Sequence, residues 1–403
     1  MTILSALAIF ASLFLFYQFA GPGSAKFCSF LSSPSGKIFF AFAHQKQQFN
    51  VYWIGRILNR RKTLTRLYQK IIILAISLLL GWAGWKGLNA FFYQGSGELA
   101  KQNFGAANVK KLNKSKEDWK KELSPEQYRI MFEKGTEPAF SGKYNNFWEK
   151  GIYFCAACGT PLFRSEDKYD HGTGWPSFKE PFSEAFLEYH DDLSFGTHRI
   201  EVRCAVCGGH LGHLFPDGPK PSGKHFCINS AALNFKPEEE ALKEAPEVAT
   251  LAAGCFWGVE YQLSHLEGVI ATVVGFSGGQ TVNPTYMEVC TGKTEHAEAV
   301  QVVFDPKVLS YEALLRKYFA IHDPTQKNRQ GPDIGTNYRS VIFYHSEQQR
   351  QTAEKVKNEL QQSQKFSGKK MVTEIVPFKT FYRAEDYHQR FYEKNPERAC
   401  PIK

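Results

Sequence analysis

The sequence predicts a multidomain chain: an N-terminal membrane-anchor region, then two globular domains in tandem. Three observations predict this. Charge is uneven: residues 1–97 hold ten Lys and Arg and no acid, residues 98–403 hold 39 basic and 40 acidic side chains, and the net +9 therefore belongs to the N-terminal region. That same region holds two long apolar runs. Beyond it, two blocks rich in chemistry-bearing motifs are separated by a charged joint, and 403 residues is ample length for such an arrangement.

The membrane-anchor region is read as residues 1–97. Its apolar runs, 2–20 (TILSALAIFASLFLFYQFA) and 71–93 (IIILAISLLLGWAGWKGLNAFFY), are each near the ~20 residues that cross a bilayer. Trp82, Trp85 and Tyr93 suit an interface. Arg56, Arg60, Arg61, Lys62, Arg66 and Lys70 precede the second run, whereas Lys101, Lys110 and Lys111 are sparser behind it. The positive-inside rule then keeps the 56–70 side in the cytoplasm and places the later residues outside. The partner implied is a lipid bilayer. Alternatives are a signal peptide for 2–20, which lacks a basic start, and a buried core helix for 71–93. A cytoplasm-facing or soluble protein follows if the start at Met1 is misassigned. The near-neutral remainder offers no broad basic face, which argues against nucleic acid as a partner.

Residues 98–117 read as a solvated tether, 118–236 as the first globular domain, 237–247 as a linker bracketed by Pro237 and Pro246, and 248–403 as the second domain. The first domain carries "CAACG" (Cys155, Cys158) and "CAVCG" (Cys204, Cys207). Two residues between cysteines let a tight turn aim both thiolates at one ion, and two such turns make a closed, tetrahedral, structural zinc site. Two redox pairs or two disulfides are the alternatives; the doubled Cys-Ala-x-Cys-Gly form favours Zn2+. Downstream, alternation in "HFCINSAALNF" predicts a strand with Cys227 and Asn229 on one face.

In the second domain, "EVATLAAG" reads as a strand closing on Gly254, and "CFWGVEYQLSHLEG" as a helix beginning at Cys255 and ending near Gly268. A thiol at a helix N-terminus faces free N–H groups and the positive end of the dipole, so a lowered pKa is expected for Cys255. Phe256 and Trp257 wall the pocket with apolar faces. A further helix is expected near 346–363, Cys290 is read as structural, and Cys28 has no reading.

The motifs "GWPSF", "HLGH", "FPDGP" and "CINSAAL" resemble methionine sulfoxide reductase B over about 115 residues of the first block. The resemblance implies that Cys227 is the nucleophile, that His210 and His213 activate the sulfoxide oxygen, that Asn229 assists, and that Trp175 packs on the substrate methyl. It matches the zinc-binding form through Cys155, Cys158, Cys204 and Cys207. Two departures stand out: His225 occupies a place where many members have Arg, and Thr173 one where many have a resolving cysteine.

"GCFWGVE", "GFSGG", "NPTYMEVCTGKTEHAEAVQVVFD", "DIGTNYRS" and "YHQRFYEKNP" resemble methionine sulfoxide reductase A over most of 248–403. Here the resemblance makes Cys255 the nucleophile, Glu298 the acid that protonates the sulfoxide oxygen, Tyr286 and Tyr338 its hydrogen-bond donors, and Asp333 an ordering group. Phe256 and Trp257 hold the methyl, and Cys400 is the tail thiol that resolves the sulfenic acid. Glu295 stands where glycine is usual and adds an acid near Glu298. The implied folds are a mainly antiparallel β domain with a zinc knuckle, then a two-layer α+β domain. The implied activity is reduction of free or protein-bound methionine sulfoxide, R epimer by the first domain and S epimer by the second. The reductant implied is a thioredoxin-like or membrane-linked dithiol. No organic cofactor is expected. A general thiol–disulfide oxidoreductase and a non-catalytic zinc module are the competing readings.

Overall fold

The computed structural model describes strands at 31–32, 38–42 and 45–48 and the continuous stretch 108–398. Both apolar runs and Cys400 lie outside the described residues. Among the described residues, no helix is long and apolar enough to cross a membrane. The strands β1 (Leu31–Ser32), β2 (Ile38–Phe42) and β3 (Gln45–Gln48) form a small antiparallel sheet, in a unit of its own spanning Met1–Leu88.

The rest is one compact unit. It opens with β4 (Asn108–Val109) and two short helices, α1 (Lys116–Glu122) and α2 (Pro125–Phe132). Ser115 caps α1 through the Asp118 N–H, and Ser124 with Gln127 forms a reciprocal capping box on α2. The β-rich part follows. Six strands, β7 (Lys168–Tyr169), β8 (Ser177–Phe178), β9 (Leu187–Asp192), β10 (Arg199–Cys204), β11 (His210–Phe215) and β12 (His225–Ile228), form an antiparallel sheet in the order β7-β8-β12-β11-β10-β9. A second antiparallel sheet holds β5 (Gly151–Cys155), β6 (Pro161–Arg164) and β13 (Leu233–Pro237), with β5 central. Aromatic rings fill the core between them: Phe163 stacks on Phe178 at 4.4 Å, and Tyr153 meets Phe178 edge-on at 5.1 Å.

The charged joint contains a short helix, α3 (Glu238–Glu244). Glu238, Glu239 and Glu240 sit at its positive N-terminal end, Lys236 pairs with Glu244, and Ala241 is fully buried. With Ala245, also buried in the core, this packs an otherwise polar stretch.

The α+β part has a mixed sheet of β14 (Glu247–Ala253), β15 (Val269–Ser277), β16 (Ala297–Phe304), β19 (Ser340–Tyr344), β20 (Glu374–Pro377) and β21 (Phe381–Arg383), ordered β20-β19-β14-β16-β15-β21. A small ladder, β17 (Arg329–Gln330) with β18 (Asp333–Ile334), lies off it. The central strands β14 and β16 are buried along nearly their whole length because both faces are covered, polar Thr250, Glu298 and Gln301 included. The helices are α4 (Phe256–Ser264), α5 (Tyr286–Cys290), α6 (Tyr311–Ala320), α7 (Glu347–Gln362) and α8 (Phe391–Lys394). Helix α7 lies where 346–363 predicts it; α4 ends at Ser264, short of Gly268.

A buried polar seam joins the two parts. Lys224 reaches Glu184 at 2.5 Å and the Phe381 carbonyl at 2.9 Å, and Gln301 accepts from the Ser183 hydroxyl at 2.6 Å. Arg383 donates to the Leu187 carbonyl at 3.1 Å. The tether also bridges the parts, because β4 pairs with β15.

Candidate active sites

In the α+β part, β14 ends at Ala253 and the chain turns through Gly254, whose φ of +96° favours glycine; a Cβ there would lie 2.6 Å from Gln330. Cys255 then caps α4, as the strand-then-helix pattern predicts. The predicted low pKa is overturned. Burial and the neighbouring Glu298 carboxylate push the Cys255 thiol up to about 12, against the Trp257 and Gly258 N–H groups. The helix end is present, but a dry site and an adjacent acid outweigh it.

Glu298, on β16, is 1% exposed. It accepts from the Phe256 N–H at 3.2 Å and from the Asn337 amide at 3.4 Å. Burial raises its pKa to about 8, with Asp333 adding to the effect. The same acid therefore touches the backbone next to the thiol and holds its proton in neutral water. Tyr286 begins α5, its ring 6.3 Å from Phe256, and Tyr338 lies in a 3-10 turn where the Glu298 charge reaches it. Asp333, on β18, is half-buried and acts on both Cys255 and Glu298.

Phe256 is buried; Trp257 is half-buried, stacks on Phe391 at 3.8 Å and donates to His388 Nδ1 at 3.0 Å. Sequence reasoning missed His388 and Asn337, although both lie inside the quoted motifs. Cys290 is exposed and sits beside the Tyr286 hydroxyl, so its reading as structural is corrected. Glu295 does not disturb Glu298: it is exposed, takes φ of +61°, and its charge acts on Arg339. The left-handed backbone there explains why glycine suits that position.

In the β-rich part, strand register lines up Tyr169, Ser177, Cys227, His213 and Glu201 across one sheet. Cys227 is half-buried, and burial pushes its thiol up to about 11. Its neighbour across the strand pair, His213, contacts Asp192 at 2.8 Å, while His210 contacts Glu201 at 2.9 Å; the two rings are 5.5 Å apart. Burial lowers the His213 pKa, against its Asp192 contact. Burial works to raise the Glu201 carboxyl, but hydrogen bonds from His210, Arg203 and Lys134 outweigh it and hold it well below the usual range.

Asn229 is 3% exposed and committed to backbone: it donates to the Leu211 carbonyl at 3.0 Å and accepts from the Glu137 N–H at 3.1 Å. Trp175 donates to the Glu137 carbonyl at 3.1 Å. Glu137, missed from sequence, is buried and accepts from the Ser230 and Ala231 N–H groups at 2.6 and 3.0 Å.

Residues 247–403 match the family described as peptide methionine sulfoxide reductase, and residues 123–237 match the SelR domain. Peptide methionine sulfoxide reductase MsrA of Methanosarcina acetivorans is 58% identical over 151 residues, 38% of this chain and 80% of that protein. MsrB of Leptospira interrogans is 55% identical over 127 residues, 32% of this chain and 97% of that protein. The chain belongs to the peptide methionine sulfoxide reductases. It is a bifunctional oxidoreductase of that family, B-type domain first and A-type domain second. A solved structure of methionine sulfoxide reductase A of Corynebacterium diphtheriae is 41% identical over 39% of this chain and 79% of that one, with a TM-score of 0.38.

The reductase's B-type domain also gathers Cys155, Cys158, Cys204 and Cys207. Cys155 and Cys207 sulfurs are 3.6 Å apart, Cys158 and Cys204 sulfurs 3.5 Å, and all four thiols are free. A tetrahedral zinc with ~2.3 Å bonds to sulfur spaces its ligands by about 3.8 Å, so this donor set fits the ion.

Proposed function

We propose that the two reductase activities of this chain divide by epimer and by thiol, with Cys255 reducing S and Cys227 reducing R methionine sulfoxide. The observation that carries the reading is the contact between Glu298 and the Phe256 N–H: a buried acid, neutral to about pH 8, one residue from a half-buried thiol at a helix N-terminus.

In the A-type site the Cys255 sulfur attacks the substrate sulfur while Glu298 gives its proton to the oxygen. Tyr286 and Tyr338 donate hydrogen bonds to that oxygen, Asp333 orders the site, and Phe256 with Trp257 holds the methyl. Net, the oxygen passes from substrate sulfur to cysteine sulfur: the substrate is reduced by two electrons to methionine, and Cys255 becomes a sulfenic acid. The Cys400 thiol condenses with it, releasing water and forming a disulfide. A thioredoxin-like dithiol reopens that disulfide by exchange.

In the B-type site Cys227 is the attacking atom, His210 and His213 assist the oxygen, and Trp175 receives the methyl. Asn229 positions the strand end. The four cysteines would hold Zn2+ and so close the domain; with all four positions taken by sulfur the ion would serve structure. Two sites are needed because the sulfoxide sulfur is chiral and one pocket cannot fit both hands.

We also assign residues 1–97 as a membrane anchor through the apolar runs 2–20 and 71–93, with the catalytic domains at 118–236 and 248–403 outside the cytoplasm and served by a membrane-linked reductant. Trapping tests the thiol assignment. The Cys400→Ser chain, given one equivalent of the S epimer with dimedone and no reductant, carries the adduct on Cys255; the R epimer moves it to Cys227. An adduct on neither thiol contradicts the reading.

A further inference from the structure

Three side chains from separate segments meet at one end of β12, outside the catalytic contacts above. His171 comes from the turn before Trp175, Asp217 from the turn after β11, and His225 from β12 itself. Their ligand atoms all lie within 4.8 Å of one another. His225 Nδ1 is 2.9 Å from Asp217 Oδ1, and His171 Nε2 is 3.4 Å from Asp217 Oδ2. The two imidazoles stack at 3.9 Å.

Hydrogen-bond bookkeeping shows what this cluster lacks. The Ser177 hydroxyl donates to the Trp175 carbonyl, so it receives His225 Nε2–H at 2.9 Å. In a neutral ring that leaves His225 Nδ1 as an acceptor, and it faces the carboxylate, which is also an acceptor. A ring nitrogen and a carboxylate oxygen 2.9 Å apart share either a second ring proton or a metal cation. His171 Nδ1 and the Tyr169 hydroxyl are buried beside it with no hydrogen-bond partner. A zinc ion with ~2.0 Å bonds to nitrogen and oxygen spaces its ligands by about 3.3 Å, near the 2.9 and 3.4 Å from Asp217 to the two rings. An imidazole ligand whose other N–H is held by a second group is the usual arrangement around such an ion.

We propose that His171, Asp217 and His225 form a second divalent-cation site of zinc type, separate from the four-cysteine cluster, and that its occupancy silences the B-type site. Three protein ligands leave one position open. Cys227 lies two residues from His225 on the same face of β12, and its sulfur is 3.9 Å from the hydroxyl of Thr173, two residues from His171. The thiol gives its proton to water and its sulfur donates one electron pair to the ion at the open position; the bound sulfur is a weaker nucleophile and is held away from the sulfoxide. The inhibitory half rests on Cys227 as the B-type nucleophile; the binding half does not.

The test uses the reduced full chain, zinc chloride and no thiol reductant. Zinc per chain is counted after gel filtration, and one-turnover methionine formation is measured with each epimer. The expected result is two zinc ions in the wild type and one in both His171→Asn and Asp217→Asn, which change only exposed or half-buried side chains. Added zinc abolishes R turnover in the wild type, spares S turnover, and leaves R turnover intact in both variants. One zinc in the wild type, or undiminished inhibition in the variants, overturns the proposal. In Cys227→Ser, surviving R turnover together with two zinc ions faults the nucleophile assignment while leaving the binding site standing.

Discussion

Glu298→Gln isolates the acid of the A-type site. Glutamine keeps the shape and retains an oxygen for the Phe256 N–H, now 3.2 Å from the carboxylate, while the Asn337 amide can turn to match. What it removes is a proton. Glu298 is 1% exposed and its pKa moves from 4.5 to about 8. That displacement is worth about 5 kcal/mol in favour of the neutral acid. The group therefore remains protonated up to pH 8 and is a carboxylate above it, so S turnover in the wild type falls as pH rises through about 8. The variant loses general-acid catalysis, a drop of roughly 10²–10⁴ in kcat/KM for the S epimer, and loses that alkaline limb. Its Cys255 titrates lower, because the nearby carboxylate that helps hold the thiol up is gone. Stopped assays with each epimer across pH 6–10, beside iodoacetamide alkylation of Cys255, measure both effects (pH range set by the carboxyl at about 8). R turnover is the internal control. Unchanged S turnover, or an alkaline limb that survives the substitution, refutes the reasoning.

Three other outcomes follow from the same contacts. Glu137→Ala leaves the Ser230 and Ala231 N–H groups without their acceptor, so thermal unfolding shows a loss of about 3 kcal/mol and R turnover falls. Stripping metal from the four-cysteine cluster with a strong chelator, followed by metal analysis and melting curves, lowers the Tm of the β-rich part and abolishes R turnover while S turnover persists. Cys400→Ser completes one S turnover but does not recycle with a protein dithiol, which single- and multiple-turnover assays separate.

The sequence was most legible where chemistry and local structure coincide. The turn at Gly254 needs a positive φ, the helix after it has a clear start, and Cys255 falls on the cap; all three are local facts. The Cys-x-x-Cys spacings likewise announce a cluster, although only the folded sheets bring the two turns to within 3.6 Å. The cysteine pKa values were illegible for the opposite reason. They depend on burial and on Glu298, 43 positions away, which reaches Cys255 only through the pairing of β14 with β16. Glu137 gives no pattern at all: its partners Ser230 and Ala231 lie more than 90 residues away. The joint at 237–247 looks solvated because of its charge, yet Ala241 and Ala245 are buried in the core and pack α3 against it.

The central claim is that one chain holds two independent thiol sites of opposite handedness. Turnover of the separated epimers by the wild type, Cys255→Ser and Cys227→Ser, with dithiothreitol as reductant, tests it directly. The account predicts that Cys255→Ser loses S turnover and keeps R, and that Cys227→Ser does the reverse. Loss of both activities in either variant, or survival of both in each, contradicts it.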